Sequence, residues 1–514
     1  MAAMNENNKR IAKNTVALYV RMVVTLLVQL YTSRVVLQML GVEDFGIYNA
    51  VGGVVAMLAF INSSMSLAVQ RYLSYDLGRG DMASLNRTFN LSLLIHGLIA
   101  VVVALLAETA GYYFLTHYMN FPAARYEAAC WVFHFSVLTC CIRFFQVPYT
   151  ALVISFERMG IFAYLSIGEA ALGLAIVYLL QVGTLDKLEL YAVLVSGVAL
   201  LITAMYAVYS LLKIREIKLR PTWDGPLFRR LLSFASWSAL GELAWAATGQ
   251  GVNVVLNLFF GPVVNASRGI AYQVLGAVSR FTQSFQMAVN PQIIKQYAAG
   301  NVRGMETLVF RSTCFSYYLL LLLTLPLFLR MEYVLGLWLG QVPPHLTVFC
   351  RLTLLGALTD ILSNLQATVA KAYGRIRNYQ LVVAGVLMLN LPLSYVSLKL
   401  GAPAESVFLV YIAVSVSLFF VRLWLIRRMV GLRIRDYLRG VLFPVVRVSA
   451  VVLPLPLVVH SLLTETLPGL VGVTAVSCLS VALAVYAAGL TATERQTVRT
   501  RSSILIRKIM KHGK

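Results

Sequence analysis

Charge is scarce in this chain: 12% of its 514 residues are Asp, Glu, Lys or Arg, while 59% are hydrophobic. A soluble domain averages about 25% charged and 45–50% apolar residues. So little charge excludes a soluble surface over most of the chain and leaves a polytopic membrane protein. Acidic residues are the scarcest, with 21 against 43 basic ones and a formal charge of +22. In a soluble protein that excess would point to nucleic acid. Here the basic residues collect in alternate short loops, the signature of loops kept on the cytoplasmic side, so nucleic acid is excluded as a partner.

Chemistry-bearing motifs are also missing. There is no phosphate-binding loop, no H-E-x-x-H and no dinucleotide-binding glycine pattern in a strand-turn-helix setting. Cys130, Cys140, Cys141, Cys314, Cys350 and Cys478 all fall in apolar segments without metal-ligand spacing, and read as small core residues. The six histidines are scattered. No metal or cofactor is called for. The longest outside loop, about Arg330 to Pro343, is too short to house a transferase or polymerase site, so a non-enzyme is expected.

What is present is a succession of apolar runs of bilayer-spanning length. Cutting at basic, acidic, Gly and Pro punctuation predicts fourteen helices, approximately Asn14 to Leu40, Gly46 to Tyr75, Phe89 to His117, Arg125 to Ser155, Gly160 to Val182, Leu188 to Leu212, Leu231 to Phe260, Val263 to Tyr297, Thr307 to Leu329, Pro344 to Ala372, Tyr379 to Lys399, Glu405 to Ile426, Val445 to Leu463 and Leu470 to Thr491. The first run follows Lys9, Arg10 and Lys13 and has no small-residue cleavage site, which reads as a retained helix. Outside loops then carry only Arg125, Lys187, Arg330 and Lys399, an asymmetry that favours an even number of crossings and cytoplasmic termini. The expected organisation is an N-lobe over residues 1–212, a cytoplasmic linker over 213–230, a C-lobe over 231–428, an extra helix pair over 429–491 and a basic tail over 492–514.

The two lobes read as a repeat. A shift of 220 residues superposes Gly41 on Gly261, Ser64 on Ser284, Ala68 on Ala288, Val69 on Val289, Gly80 on Gly300 and Gln146 on Gln366 without a gap. Six helices per copy make the copies parallel, related by an axis along the membrane normal.

Polar stripes run along several spans, and a stripe in a membrane needs water, a partner helix or a hydrophilic substrate beside it. At about 100° per residue, one face of helix one carries Asn14, Arg21, Thr25, Gln29 and Thr32. Helix four carries Ser136, Thr139, Arg143, Gln146 and Thr150, and helix eight carries Asn265, Arg268, Tyr272, Ser279, Gln283, Gln286 and Asn290 with Arg280 to the side. Glu242, Asn253 and Asn257 share a face of helix seven with Ser238, and Asp360 lies near Asn364 in helix ten. Arg71, Arg422 and Arg447 sit near inside ends, where an arginine snorkels to the interface. Two readings stand side by side: pairing of these charges into salt bridges that fix helix register, or a cationic water-filled cavity for an anionic polar substrate.

The opening R-I-A-K-N-T after Lys9, the run S-R-V-V-L-x-x-L-G-V-E-D-F-G-I-Y-N from Ser33 to Asn49, and R-Y-L-S-Y-D-L-G-R-G-D from Arg71 to Asp81 resemble the polysaccharide transporters of the multidrug/oligosaccharidyl-lipid/polysaccharide (MOP) superfamily. The Wzx-type O-antigen and capsule repeat-unit flippases belong to that group. The resemblance implies an all-α membrane protein with two facing six-helix lobes of the MATE-like fold, rocking between inward-open and outward-open states. It implies the transport of an undecaprenyl-pyrophosphate-linked oligosaccharide across the bacterial inner membrane, for O-antigen, capsule or lipopolysaccharide biosynthesis, with a polysaccharide polymerase or other assembly proteins as partners. Lipid II flippases have two further helices after the twelfth, resembling the last pair here, beside which a lipid tail would run.

The resulting expectation has Arg21 and Arg268 holding the pyrophosphate, with Arg143 and Arg280 in support. Thr25, Gln29, Tyr272, Gln283, Gln286 and Asn290 would bond sugar hydroxyls. The alternative is a cation-coupled small-molecule exporter of the MATE type, with Glu242, Asp360 and Asn253 as proton or sodium sites.

Overall fold

The computed structural model describes residues 13–29, 59–118, 123–180, 186–220, 222–260, 262–339, 342–491 and 494–496, with scattered positions between 31 and 51. Among the described residues the regular elements are helices, as a bilayer demands of a chain that must satisfy its own backbone hydrogen bonds. Helix α1 covers residues 13–29 and α2 covers Ala59–Arg79. They are followed by α3 (Met82–His117), α4 (Tyr126–Ser155), α5 (Met159–Leu179) and α6 (Lys187–Lys213). Helices α7 (Gly225–Phe260) and α8 (Pro262–Ala298) come next. The remainder are α9 (Val302–Leu329), α10 (Leu346–Tyr373), α11 (Arg377–Lys399), α12 (Ser406–Val430), α13 (Ile434–Leu462) and α14 (Leu467–Gly489). Ten of these helices are long and apolar enough to cross a bilayer; α1, α2, α7 and α8, outside that count, carry polar side chains along their lengths. The multi-pass membrane architecture is therefore as expected. In the loop from Arg330 to Pro343 the structure adds a short helix, Met331–Leu339.

The chain forms two compact units. The first takes in residues up to Leu243 with Met287–Met305 and Thr368–Leu381; the second takes in Ala244–Gln286, Glu306–Ala367 and the chain from Val382 onward. The first is packed around Leu73, Leu85, Phe89 and Leu152, all fully buried. In the second, the rings of Phe349 and Phe408 meet 4.6 Å apart within a cluster that includes Leu256 and Leu346. Large apolar residues such as Leu98, Val101 and Leu105 of α3 are exposed, as expected of faces solvated by lipid. Cys314 and Cys350 are buried, whereas Cys130, Cys140, Cys141 and Cys478 are only half-buried; all six are free thiols.

Backbone detail supports the repeat. Gly80 ends α2 at φ 72° and Gly300 ends α8 at φ 75°, a left-handed conformation that costs glycine nothing and other residues more. The hydrogen bonds around the two glycines match one for one: Asp81 N to Asp76 O and Asn301 N to Gln296 O, at 3.1 and 3.0 Å. The next helix is then capped by Asp81 Oδ1 on Ser84 N at 2.9 Å, and by Asn301 Oδ1 on Gly304 N at 3.0 Å. Burial repeats too, with Ala68, Val69, Leu85, Ala288, Val289 and Met305 all fully buried.

One polar knot lies outside the spans. Arg125 donates to Asp44 Oδ2 and to Asp186 Oδ2, each at 2.5 Å, while Asp186 caps α6 by accepting from Leu188 N at 2.9 Å. The Arg125 hydrogen bond holds the Asp186 carboxyl below its ordinary range, and the Asp186 contact in turn raises the guanidinium above its own.

Candidate functional site

The second unit encloses a cavity of about 560 Å³. The stripe of α8 forms one wall, because Arg268, Tyr272, Ser279, Gln283 and Gln286 recur at helical spacing and all reach it. Asn253 of α7, Asp360 and Asn364 of α10, Asn390 of α11 and Tyr411 of α12 add to the polar lining, with Thr248, Thr282 and Thr353 between them.

Arg268 is 4% exposed. Its Nη1 donates to Asn253 Oδ1, its Nη2 donates to Gly249 O at 3.1 Å, and its guanidinium sits 4.4 Å from the Tyr272 ring centroid. Nε is buried and has no partner among the described residues. Among the described residues no carboxylate lies within ion-pair distance of it. A guanidinium desolvated in this way is expensive unless an anion completes it. Asn253, expected as an ion site with Glu242, also orients the arginine.

Asp360 occupies another part of the same lining. It accepts from the Tyr411 hydroxyl at 2.5 Å on Oδ2 and from the Ser415 hydroxyl on Oδ1. Asn390 is 3% exposed, and its Oδ1 is buried without a partner among the described residues. The cavity thus presents a charged donor, a carboxyl group and a row of amides and hydroxyls, which is chemistry for binding a polar solute. Among the described residues, no three His, Cys, Asp or Glu gather as metal ligands would.

The other expected site residues are not among those that line this cavity. Arg21 is half-buried against Phe162, 4.8 Å from the ring centroid, with its Nε buried and without a partner among the described residues. Thr25 turns its hydroxyl back to Arg21 O at 2.7 Å, and Gln29 is exposed. Arg143 makes an ion pair with Glu169 at 2.9 Å. Arg280 is exposed and does not line the cavity. Asn290 belongs to the first unit, accepting from Thr368 at 3.0 Å. Glu242 also belongs to the first unit and accepts from Ser63 at 2.8 Å and Ser64 at 3.3 Å. Asn257 and Asn265 have side chains outside the described residues, as does most of the Ser33 to Asn49 run.

Arg71 needs a correction: it does not snorkel. It is 7% exposed and donates to the carbonyls of Lys371 at 3.0 Å and Ala372 at 3.1 Å, satisfying the orphan carbonyls at the end of α10. Sequence reasoning missed Asn390, Tyr411 and Ser415. Tyr411 and Ser415 share a face of α12 at i, i+4, and Asn390 is an amide inside an apolar run; these weak signals were available.

No protein-family profile and no curated protein matches the sequence. Solved structures match the fold. A crystal structure of a MATE point mutant aligns with a TM-score of 0.71 at 13% identity, covering 83% of this chain and 96% of that one. An outward-facing multidrug resistance MATE family transporter of the MOP superfamily aligns with a TM-score of 0.69, again at 13% identity and with the same coverage. A MOP superfamily transporter from Pyrococcus furiosus, whose binding pocket is described as reversed in polarity, gives the same values as that transporter. The chain therefore has the MATE-like fold of MOP superfamily transporters.

Proposed function

We propose that this protein is a flippase. It moves an undecaprenyl-pyrophosphate-linked oligosaccharide from the cytoplasmic to the outer leaflet of the bacterial inner membrane by alternating access, in polysaccharide biosynthesis. The observation that carries this reading is Arg268: a buried guanidinium without a carboxylate partner among the described residues, held by Asn253 beside a cavity lined with amides and hydroxyls. A pyrophosphate supplies the missing charge, and its attraction to the arginine is stronger where solvent is excluded. Tyr272, Gln283, Gln286 and Asn390 suit sugar hydroxyls. Arg21, whose buried Nε also has no partner among the described residues, is the counterpart in the first half; Arg143 and Arg280 are supporting charges. The residues from 1–212 and 231–428 act as two rocking lobes, 213–230 as their linker, and 429–491 flanks the lipid tail. Both termini are cytoplasmic, no cofactor is used, and a polysaccharide polymerase receives the product.

A second reading is favoured by Asp360, which shares the cavity and is held by two hydroxyls, and by the multidrug transporters among the fold's neighbours. It is a cation-coupled exporter using Asp360, with Glu242 as a further proton or sodium site and Asn253 as an oxygen ligand for sodium. The deciding experiment is translocation of a fluorescent undecaprenyl-pyrophosphate oligosaccharide in proteoliposomes. Movement lost in Arg268→Ala supports the flippase. No movement by the wild type under an imposed ion gradient and potential, with export of a small solute, transfers the assignment to the exporter.

A further inference from the structure

Three contacts in the first unit tie early helices to the basic ends of α8 and α10. At the turn between α4 and α5, Glu157 stands at φ 59°, and its side chain is 1% exposed. Its carboxylate accepts from Lys295 Nζ and Gln292 Nε2 of α8, while its carbonyl accepts from Asn14 of α1 at 3.1 Å. Arg71 of α2 clasps the last carbonyls of α10 as described above. Gly374, just beyond at φ 90°, leaves room for this guanidinium: a Cβ there would collide with Arg71 Nη2. At Gly78 the backbone of α2 touches α8 so closely that a Cβ would lie 2.7 Å from both Ala298 Cβ and Lys295 O.

The third contact has a symmetry meaning. The 220-residue shift that relates the two halves carries Gly78 onto Ala298. Equivalent residues of two parallel copies meet only where the axis relating the copies passes. The contact therefore marks where the axis relating the two copies passes, and Arg71 and Glu157 bond to the same two helix ends in the same unit.

We propose that Glu157 with Lys295 and Gln292, and Arg71 with the α10 terminus, form a latch around the Gly78–Ala298 contact that is closed in this structure and parts when the basic side opens. A buried ion pair is weak as a source of stability but costly to leave half-made, so these bonds favour two discrete states, made or fully broken and hydrated. Gly78 brings the donors and acceptors into register by permitting helix contact at backbone distance. The latch rests on the reading of the chain as an alternating-access carrier, but on no choice of substrate.

The test is a distance measurement on the full chain in lipid nanodiscs by pulsed electron double resonance. The six native cysteines are replaced, and spin labels are attached at Ala83→Cys and Ala299→Cys, both exposed. The parent should give mainly one short distance. Lys295→Met and Gly78→Val should each raise a longer component several-fold, and exchanging the charges, Glu157→Lys with Lys295→Glu, should return the distribution toward the parent. Parent-like distributions in both single variants overturn the latch, and an exchange as open as Lys295→Met overturns its ion pair. If Lys295→Met does not accumulate in the membrane, Gln292→Ala takes its place with the same two outcomes. The readout needs no substrate, so a failed oligosaccharide assay with a normal distance response would remove the flippase reading and leave the latch standing.

Discussion

Arg268 lies 4.4 Å from the centre of the Tyr272 ring, one helical turn further along α8, and is oriented there by Asn253. The ring and the amide fix the guanidinium without neutralising it. A charge restrained in this way binds an anion with little further loss of side-chain entropy.

Replacing Arg268 by Ala should weaken binding of a pyrophosphate-bearing lipid by about 10- to 100-fold, since a hydrogen bond to a charged group contributes about 1.5–3 kcal/mol. Arg268→Lys should recover only part of this, because an ammonium lacks the planar fork. Equilibrium binding in nanodiscs, with matched receptor density, checks both. Equal affinity in all three proteins would remove the arginine from the site.

Asp360→Asn retains the shape of the carboxyl group; its oxygen can still accept from one of the Tyr411 and Ser415 hydroxyls, while its NH2 donates to the other. Under the flippase reading translocation should stay within about threefold of the wild type, well below the tenfold that about 1.4 kcal/mol represents. Under the exporter reading ion-coupled export should be lost. Rates measured with and without an imposed cation gradient separate the two.

Acid should loosen the Arg125 knot in a predictable direction. Asp186 is held below its ordinary range by the Arg125 hydrogen bond, so its contribution to stability is fully present above the unfolded carboxylate value of about 3.9. It is lost as pH falls through the lower folded value. Thermal unfolding in detergent between neutral pH and about pH 3 should show a steeper acid limb for the wild type than for Asp186→Asn. Parallel curves would contradict the linkage.

Gly374→Ala should destabilise the protein by roughly 1–3 kcal/mol, the usual cost of a non-glycine residue in a strained backbone region, with the approach to Arg71 adding to it. Gly385→Ala, on the next helix, meets no atom within 4 Å and has no positive φ. Within a helix it should be neutral or slightly stabilising. A comparison of thermal unfolding midpoints tests the contrast.

Much of this protein was legible in local periodicity. Apolar runs of bilayer length specify helices because a lipid-exposed backbone must satisfy itself, and the 3.6-residue repeat puts Arg268, Tyr272, Gln283 and Gln286 on one face of α8 whatever surrounds it. The same local rules marked Gly80 and Gly300 as matching punctuation. What they could not decide is which distant group meets which face. Glu242 and Asn253 share a stripe of α7, yet the fold assigns one to the serines of α2 and the other to Arg268. Arg71 stands near a helix end, where solvent is close by in sequence terms, and is buried because the end of α10 requires its donors. Asp360 and Tyr411 are 51 residues apart, and Glu157 and Lys295 are 138 apart. Such pairings follow from how helices pack, a property of the whole chain that no single helix's hydropathy contains.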